Sequence, residues 1–452
     1  MGKGLKLWSS LIIVRLCRSE VVLDCFVSLA MTPYCHTHQL QVLERTWFIK
    51  MKRLYRGMKR IKDMLAVFTR DQLLFIFVIS GLAFIMRYFL SSFVTGDYTY
   101  YTSVWFDELK AGGGLKAIGM ELTRNNYNPP YTYIIALLTY IPKNSLYTLK
   151  AVSIVFDYLL AYYVARIVML KKGHGINHGI FAYSLILFLP TVISNSAIWG
   201  QCDGIYTLFL VMCLYYLLKD KPLKAMVFFA ISFTFKLQAI FLGPFILIML
   251  LMKKMKWVHV LAAPVVYAIS ILPAFLMGRS LGDLIGIYLG QASDDLPLAW
   301  NAHNFYTWFG GYYDDGLVKA SLVFAASMVV IAAYFVCRKK FALGHEMMIS
   351  LAFASALIVP FILPRMHERY FYPADILAVL FWFCFPKKFY VPLIVVGCSQ
   401  YVVMRFLYGT SFVDNSVLAI PMMVVVYKVV EVIYQMVRGA GTQADVCNGA
   451  KE

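Results

Sequence analysis

Apolar residues come in long runs along most of this chain, and short polar or basic clusters separate the runs. A helix rising about 1.5 Å per residue needs about 20 apolar residues to cross a ~30 Å hydrocarbon core. The first clear span is Gln72–Val94, and Lys50, Lys52, Arg53, Arg56, Lys59, Arg60 and Lys62 precede it. Lys and Arg of short loops stay on the cytoplasmic side, so this block places the chain before the span inside and Gly96 onward outside. Pro129–Pro142 is apolar but too short to cross, and it predicts a short helix at the exterior surface.

Alternation then orders the rest. Tyr147–Leu170 runs inward to Lys171 and Lys172, His178–Ala197 outward, and Asp203–Leu218 back to Lys219. Pro222–Phe235 and Ala239–Met252 form a short out-and-back pair that ends at Lys253, Lys254 and Lys256. Trp257–Met277, Gly316–Cys337, Leu343–Leu363, Tyr370–Phe385, Tyr390–Phe406 and Val413–Val437 complete about twelve spans, with both termini inside. Every basic pair or triplet lands on the cytoplasmic side, while the exterior stretch Gly278–Asp315 carries Asp283, Asp294, Asp295, Asp314 and Asp315. The fold class expected is all-α and polytopic. The expected division is 1–50 as a non-essential extension, 51–71 as a basic cytoplasmic segment, 72–437 as the membrane domain and 438–452 as a cytoplasmic polar tail.

Composition agrees with this pattern. Of 452 residues, 61% are hydrophobic and 15% charged, against about a quarter charged in soluble domains. The net charge of +18 sits in short clusters between apolar runs, which argues against nucleic acid as a partner. The nine cysteines form no CxxC pair, and several lie in apolar runs. They read as small buried hydrophobes rather than as a disulfide or zinc framework.

Six polar motifs from distant parts of the chain fall on the exterior side under this topology. They are Asp97 with Tyr98, Asn125–Tyr131, Trp199–Asp203, Phe235–Gln238, Asn301–Gly311 and Pro364–Pro373. Each has a plain reading. Aromatic residues at span ends form interfacial belts, Lys236 can snorkel, Gln201 and Asp203 can cap a helix, and Arg365, His367, Glu368 and Arg369 can pair among themselves. Convergence favours a site, because charged groups at membrane depth are costly and commonly functional. One carboxylate suits a base, several cations suit a phosphate, and aromatic rings suit a sugar.

These residues resemble the GT-C glycosyltransferases, which take sugar from a polyprenyl-phosphate carrier. Bacterial mannosyltransferases related to the second GPI mannosyltransferase look most similar. The resemblance rests on Gly96-Asp97-Tyr98, Trp105, Asn126–Tyr131, Trp199–Asp203, Lys236 with Gln238, and Arg365–Tyr370. More loosely, the same order is similar to the dolichyl-phosphate-glucose glucosyltransferases. It covers about Arg70 to Arg438, and it departs from many members in having only a short polar tail after Val437.

The resemblance implies an inverting transfer from a polyprenyl-phosphate-linked sugar to a hydroxyl of a glycan or lipid-linked acceptor. Asp97 is then the base, with Asp107 as fallback. Arg365, His367, Arg369 and Lys236 hold the donor phosphate, with Arg87 a weaker choice. Tyr98, Trp105, Asn126, Tyr127, Asn128, Trp199, Gln201, Asp203, Gln238, His303, Asn304 and Glu368 face the sugar or acceptor. The carrier phosphate is already a leaving group, so no metal or cofactor is expected. The rival class is a transporter or lipid flippase, but the hydropathy has no inverted repeat. The sequence leaves the sugar and the acceptor open.

Overall fold

The computed structural model describes residues 66–293, 297–309, 314–338, 343–410 and 412–449. The described residues from Leu74 onward form one compact unit, to which 66–73 do not belong. The expected extension 1–50 and residues 51–65 of the basic segment 51–71 therefore lie outside the described residues. Among the described residues the chain is helical throughout, apart from one isolated parallel bridge between Ala299 and Met366.

Helix α1 (Arg70–Leu90) opens on a reciprocal cap. The Gln72 amide donates to the Thr69 hydroxyl at 3.2 Å, and the Thr69 amide donates to Gln72 Oε1 at 2.9 Å. A π-helical turn, Tyr98–Thr102, leads into α2 (Ser103–Ala111). The short helix expected after Pro129 is α3 (Pro129–Leu138), whose 10 residues reach only about 15 Å. There follow α4 (Ser145–Val168), α5 (Ile176–Leu187) and α6 (Pro190–Trp199), with a bend of 51° between the last two. Next come α7 (Asp203–Leu218), α8 (Pro222–Phe235), a 3-10 stretch Leu237–Leu242, and α9 (Gly243–Leu251). The remainder is α10 (Ala262–Leu276), α11 (Leu281–Ser293), α12 (Asp315–Cys337), α13 (His345–Ile362), α14 (Tyr372–Cys384), α15 (Tyr390–Tyr408) and α16 (Asn415–Gly449).

A helix or bent helix pair stands at each apolar run the hydropathy marks. Among the described residues, seven are long and apolar enough to cross a membrane, or eight if the bent pair α5–α6 counts as one span. Helices α7, α8 and α14 and the segment Leu237–Leu251 are apolar but shorter. The chain is an all-α, multi-pass membrane protein. Phe77, Leu276 and Val323 are 76%, 72% and 67% exposed, which suits lipid rather than water as their neighbour. Helix α7 is apolar all round and almost wholly buried, with α4, α8, α13 and α14 packed around it.

Proline sets where several helices begin. Helices α3, α6, α8, α9 and α14 carry Pro at their first or second position. There the missing N–H is no loss, because the first turn has no intrahelical acceptor for it. The loops just before α3 and α14 are two of the polar motifs, and a third breaks the chain between α8 and Leu237.

Candidate active site

The helix ends sort into two groups. At one end Lys171 pairs with Glu346 at 3.4 Å and donates to the carbonyls of Phe383 and Cys384, joining the end of α4, the start of α13 and the end of α14. Five of the six polar motifs line a cavity of about 530 Å³, and one of them joins the other ends of α13 and α14; Asn301–Gly311 supplies no lining residue. That size is typical of small-molecule sites.

Asp97 is half-buried on the cavity wall. Its Oδ2 accepts from Trp199 Nε1 at 2.9 Å and from Gln201 Nε2. The Tyr127 hydroxyl donates in turn to Gln201 Oε1 at 3.2 Å, so three motifs are linked by one hydrogen-bonded chain. The fold makes this possible at Gly200, which adopts a left-handed φ of 79° and closes the π-helical end of α6. Trp199 is held by two further contacts. Phe406 stacks on it with ring centres 5.2 Å apart, and the Arg369 guanidinium lies 5.1 Å from its ring centroid.

The cations line the same cavity. Arg369 Nη1 bonds Glu368 Oε1 at 2.7 Å, and its Nε lies 3.9 Å from Asp203 Oδ2. Asp203 also pairs with Lys236 and accepts from Asn195 Nδ2 at 2.8 Å. Lys236 sits at an extended residue where α8 breaks off, which carries its side chain away from the helix line. Arg365 has a left-handed φ of 62°, and its amide donates to the Leu298 carbonyl at 2.8 Å. Strain of this kind in a non-glycine residue persists only where its surroundings enforce it.

Twelve of the sequence-nominated residues line the cavity: Asp97, Tyr98, Trp105, Asn126, Tyr127, Trp199, Gln201, Lys236, Gln238, Arg365, His367 and Arg369. Five do not, and each has a structural reason. Asp203 is buried behind the wall as the partner of Lys236, and Glu368 is buried as the partner of Arg369. Burial alone raises a carboxyl, but His367 and the Arg369 guanidinium outweigh it and hold Glu368 at about 2. Asn304 donates to the Leu363 carbonyl at 2.9 Å and accepts from the Tyr306 amide at 3.1 Å, which ties the loop before α14 in place. His303 lies buried against the Phe371 ring at 4.5 Å, and burial lowers it to about 3, so it is neutral. Asn128 is fully buried beside the start of α3.

Two further expectations change. Arg87 is not at the cavity; it is buried in an ion pair with Asp157, Nε to Oδ2 at 2.9 Å. Asp107 is exposed on α2 and away from the cavity wall. The wall also includes Tyr101, Tyr131, Gln291, Trp300, Tyr370 and Phe406, none of them nominated. Gln291 reaches the site from α11, where it donates to the Asn126 carbonyl. Tyr101, Trp105 and Tyr127 form an aromatic bank, with ring centres 6.1 Å and 5.5 Å apart along the row. Val318 and Leu322 of α12, with Ile240 and Phe241, give the cavity an apolar flank.

No curated protein matches the chain. A family does. Residues 125–364, more than half of the chain, match glycosyltransferase family 87, a stretch that runs from the loop before α3 to the end of α13. Asp97 and the Arg365–Arg369 cluster flank this stretch on either side. The chain therefore belongs to glycosyltransferase family 87.

Proposed function

We propose that this enzyme moves a hexose from a polyprenyl-phosphate carrier to an acceptor hydroxyl, with inversion, at the exterior face of the cell membrane. The observation that carries this reading is the cavity itself. It gathers one hydrogen-bonded carboxylate, Asp97, and the cations Arg365, His367, Arg369 and Lys236 in one lining. Family membership favours a glycosyltransferase over the transporter or flippase reading.

The chemistry follows from charge. The donor is a phosphodiester with one negative charge, and the departing polyprenyl phosphate is a monoester that carries more. Cations fixed beside the breaking bond therefore stabilise the transition state more than the ground state. Lys236 and Arg369 are already paired with buried carboxylates, which holds their head groups in place before the donor arrives. Arg365 pairs with the exposed Asp315 at 3.4 Å and is the cation with the looser partner. The acceptor hydroxyl attacks the anomeric carbon beside Asp97. Its proton passes to Asp97, a transfer worth about 10²–10⁴ in rate. Both hydrogen bonds to Asp97 end on Oδ2, so Oδ1 is the oxygen for the incoming proton. Tyr101 and Tyr127, backed by the buried Trp105, offer aromatic surface for a sugar ring, and the apolar flank at α12 suits the carrier's hydrocarbon. Mannose is the first sugar to test, since the polar motifs resemble those of mannosyltransferases. No metal or cofactor enters this scheme.

Orientation is tested apart from chemistry. In a cysteine-free background, Lys110→Cys and Asp283→Cys should react with an impermeant thiol reagent in intact cells. Lys219→Cys and Lys387→Cys should react only after permeabilisation. The reverse pattern would put the cavity on the cytoplasmic face and rule out an exterior reaction. The function itself is tested with purified enzyme and short-chain polyprenyl-phosphate hexoses. Transfer of hexose to an acceptor, with release of polyprenyl phosphate, is expected. Transfer from a nucleotide sugar alone would overturn the donor assignment.

A further inference from the structure

Helix α4 carries Lys150, Ser153 and Asp157 at spacings of three and four, which places them on one face of an otherwise largely apolar helix. All three are buried. Lys150 Nζ donates to the carbonyls of Ser91 at 3.1 Å and Ile198 at 2.9 Å, and also to that of Phe93. Ser153 donates to the Gln201 carbonyl at 2.8 Å. Asp157 Oδ2 accepts from Arg87 Nε at 2.9 Å and from the Ser196 hydroxyl at 2.6 Å.

These partners come from two segments. Arg87, Ser91 and Phe93 lie at the end of α1 and just beyond it, a few residues before Asp97. Ser196, Ile198 and Gln201 bracket Trp199. Lys150 and Asp157 each hold both segments through one atom, Nζ and Oδ2, and Lys150 is the one whose partners lie nearest Asp97 and Trp199. A carbonyl at a helix C-terminus has no intrahelical partner, so a buried ammonium can satisfy groups from both chain ends at once. Its stem also lies beneath Gly200, where an added Cβ would come within 3.2 Å of Lys150 Cγ. Lys150 does not line the cavity, so it is not a substrate contact.

We propose that Lys150 is a positioning residue for the transfer reaction: it sets the Asp97 turn against the Trp199–Gln201 turn, so that the carboxylate keeps its two hydrogen bonds and its aim into the cavity. Ser153 and Asp157 extend the same grip along α4. The inference rests on the reading of Asp97 as the base. It predicts a larger effect on turnover than on donor capture, because Arg365 and His367 stand on another element, while Arg369 and Lys236 meet the Trp199–Asp203 segment only through side chains.

The test compares Lys150→Met, Asp97→Asn and the double variant, all as purified full-length protein. Lys150→Met keeps the stem and removes the donors. Its kcat should fall about 10–100-fold, the cost of a misplaced catalytic group. Its KM for the polyprenyl-phosphate sugar should stay within about twofold of the parent. Added to Asp97→Asn, it should lower the residual rate little further, since nothing remains to be positioned. If Lys150→Met does not fold, Ser153→Ala serves, with a loss in kcat of about three- to tenfold expected from the weaker grip. A folded Lys150→Met, or failing that a folded Ser153→Ala, with parental kcat beside an inactive Asp97→Asn would overturn the inference alone. A full multiplicative loss in the double variant would also overturn it. An active Asp97→Asn would instead remove the base assignment on which the inference stands.

Discussion

Replacing Asp97 with Asn is expected to cut glycosyl transfer at least ~100-fold, while the protein still inserts, folds and binds donor. The substitution preserves nearly everything but basicity. Asparagine keeps the side-chain shape, and its amide oxygen can accept from Trp199 and Gln201 as Asp97 Oδ2 does. A purely structural role for Asp97 predicts little change. The obvious structural role, capping, has no support in the geometry: Asp97 precedes the turn Tyr98–Thr102 in helical conformation, and its side chain makes no capping hydrogen bond. Steady-state rates with a synthetic polyprenyl-phosphate hexose, beside donor affinity and apparent melting temperature in detergent, separate the two. Near-parental turnover would leave no ready substitute. Asp107 is exposed and off the cavity, and Asp203 is buried behind it in an ion pair with Lys236.

The membrane architecture was legible because its signal is long. A run of apolar residues identifies a helix whatever its neighbours do, and each such run holds one. The convergence of the polar motifs was legible as well, because the basic clusters ordered the helix ends. What the sequence could not resolve is which of two nearby polar residues faces the cavity. In Trp199–Asp203 the left-handed turn at Gly200 sends Trp199 and Gln201 onto the wall and Asp203 behind it. In Arg365–Arg369 the arginines and His367 reach the cavity, and Glu368 turns inward to hold Arg369. Helix α11 was hidden for a different reason. Its 13 residues include polar and small side chains, so hydropathy reads them as loop. Lys150 and Asp157 did leave a signal, as charges inside an apolar span. Their partners are largely backbone carbonyls and other buried polar groups, and no residue pattern announces a carbonyl.

The cation cluster separates into two kinds of arginine, and substitution should tell them apart. Arg369 is the partner of a fully buried Glu368, and its removal strands that carboxylate. Breaking one side of a buried pair costs about 3–5 kcal/mol. Arg369→Ala should therefore lower both the melting temperature and activity. A second change, Glu368→Gln, removes the stranded charge and should recover stability without recovering activity. Arg365 is different. Its partner Asp315 is 74% exposed, so the pair contributes little to folding. Arg365→Ala should lower the melting temperature less than Arg369→Ala does, and weaken donor use. A charge-assisted hydrogen bond contributes about 1.5–3 kcal/mol, so the donor KM should rise about tenfold or more. Melting curves and donor KM for the three variants test the division. Restored activity in the double variant would make Arg369 a support for the loop and not a donor contact. An unchanged donor KM in Arg365→Ala as well would remove the phosphate role from the whole cluster, and the mechanism would then lack its leaving-group stabilisation.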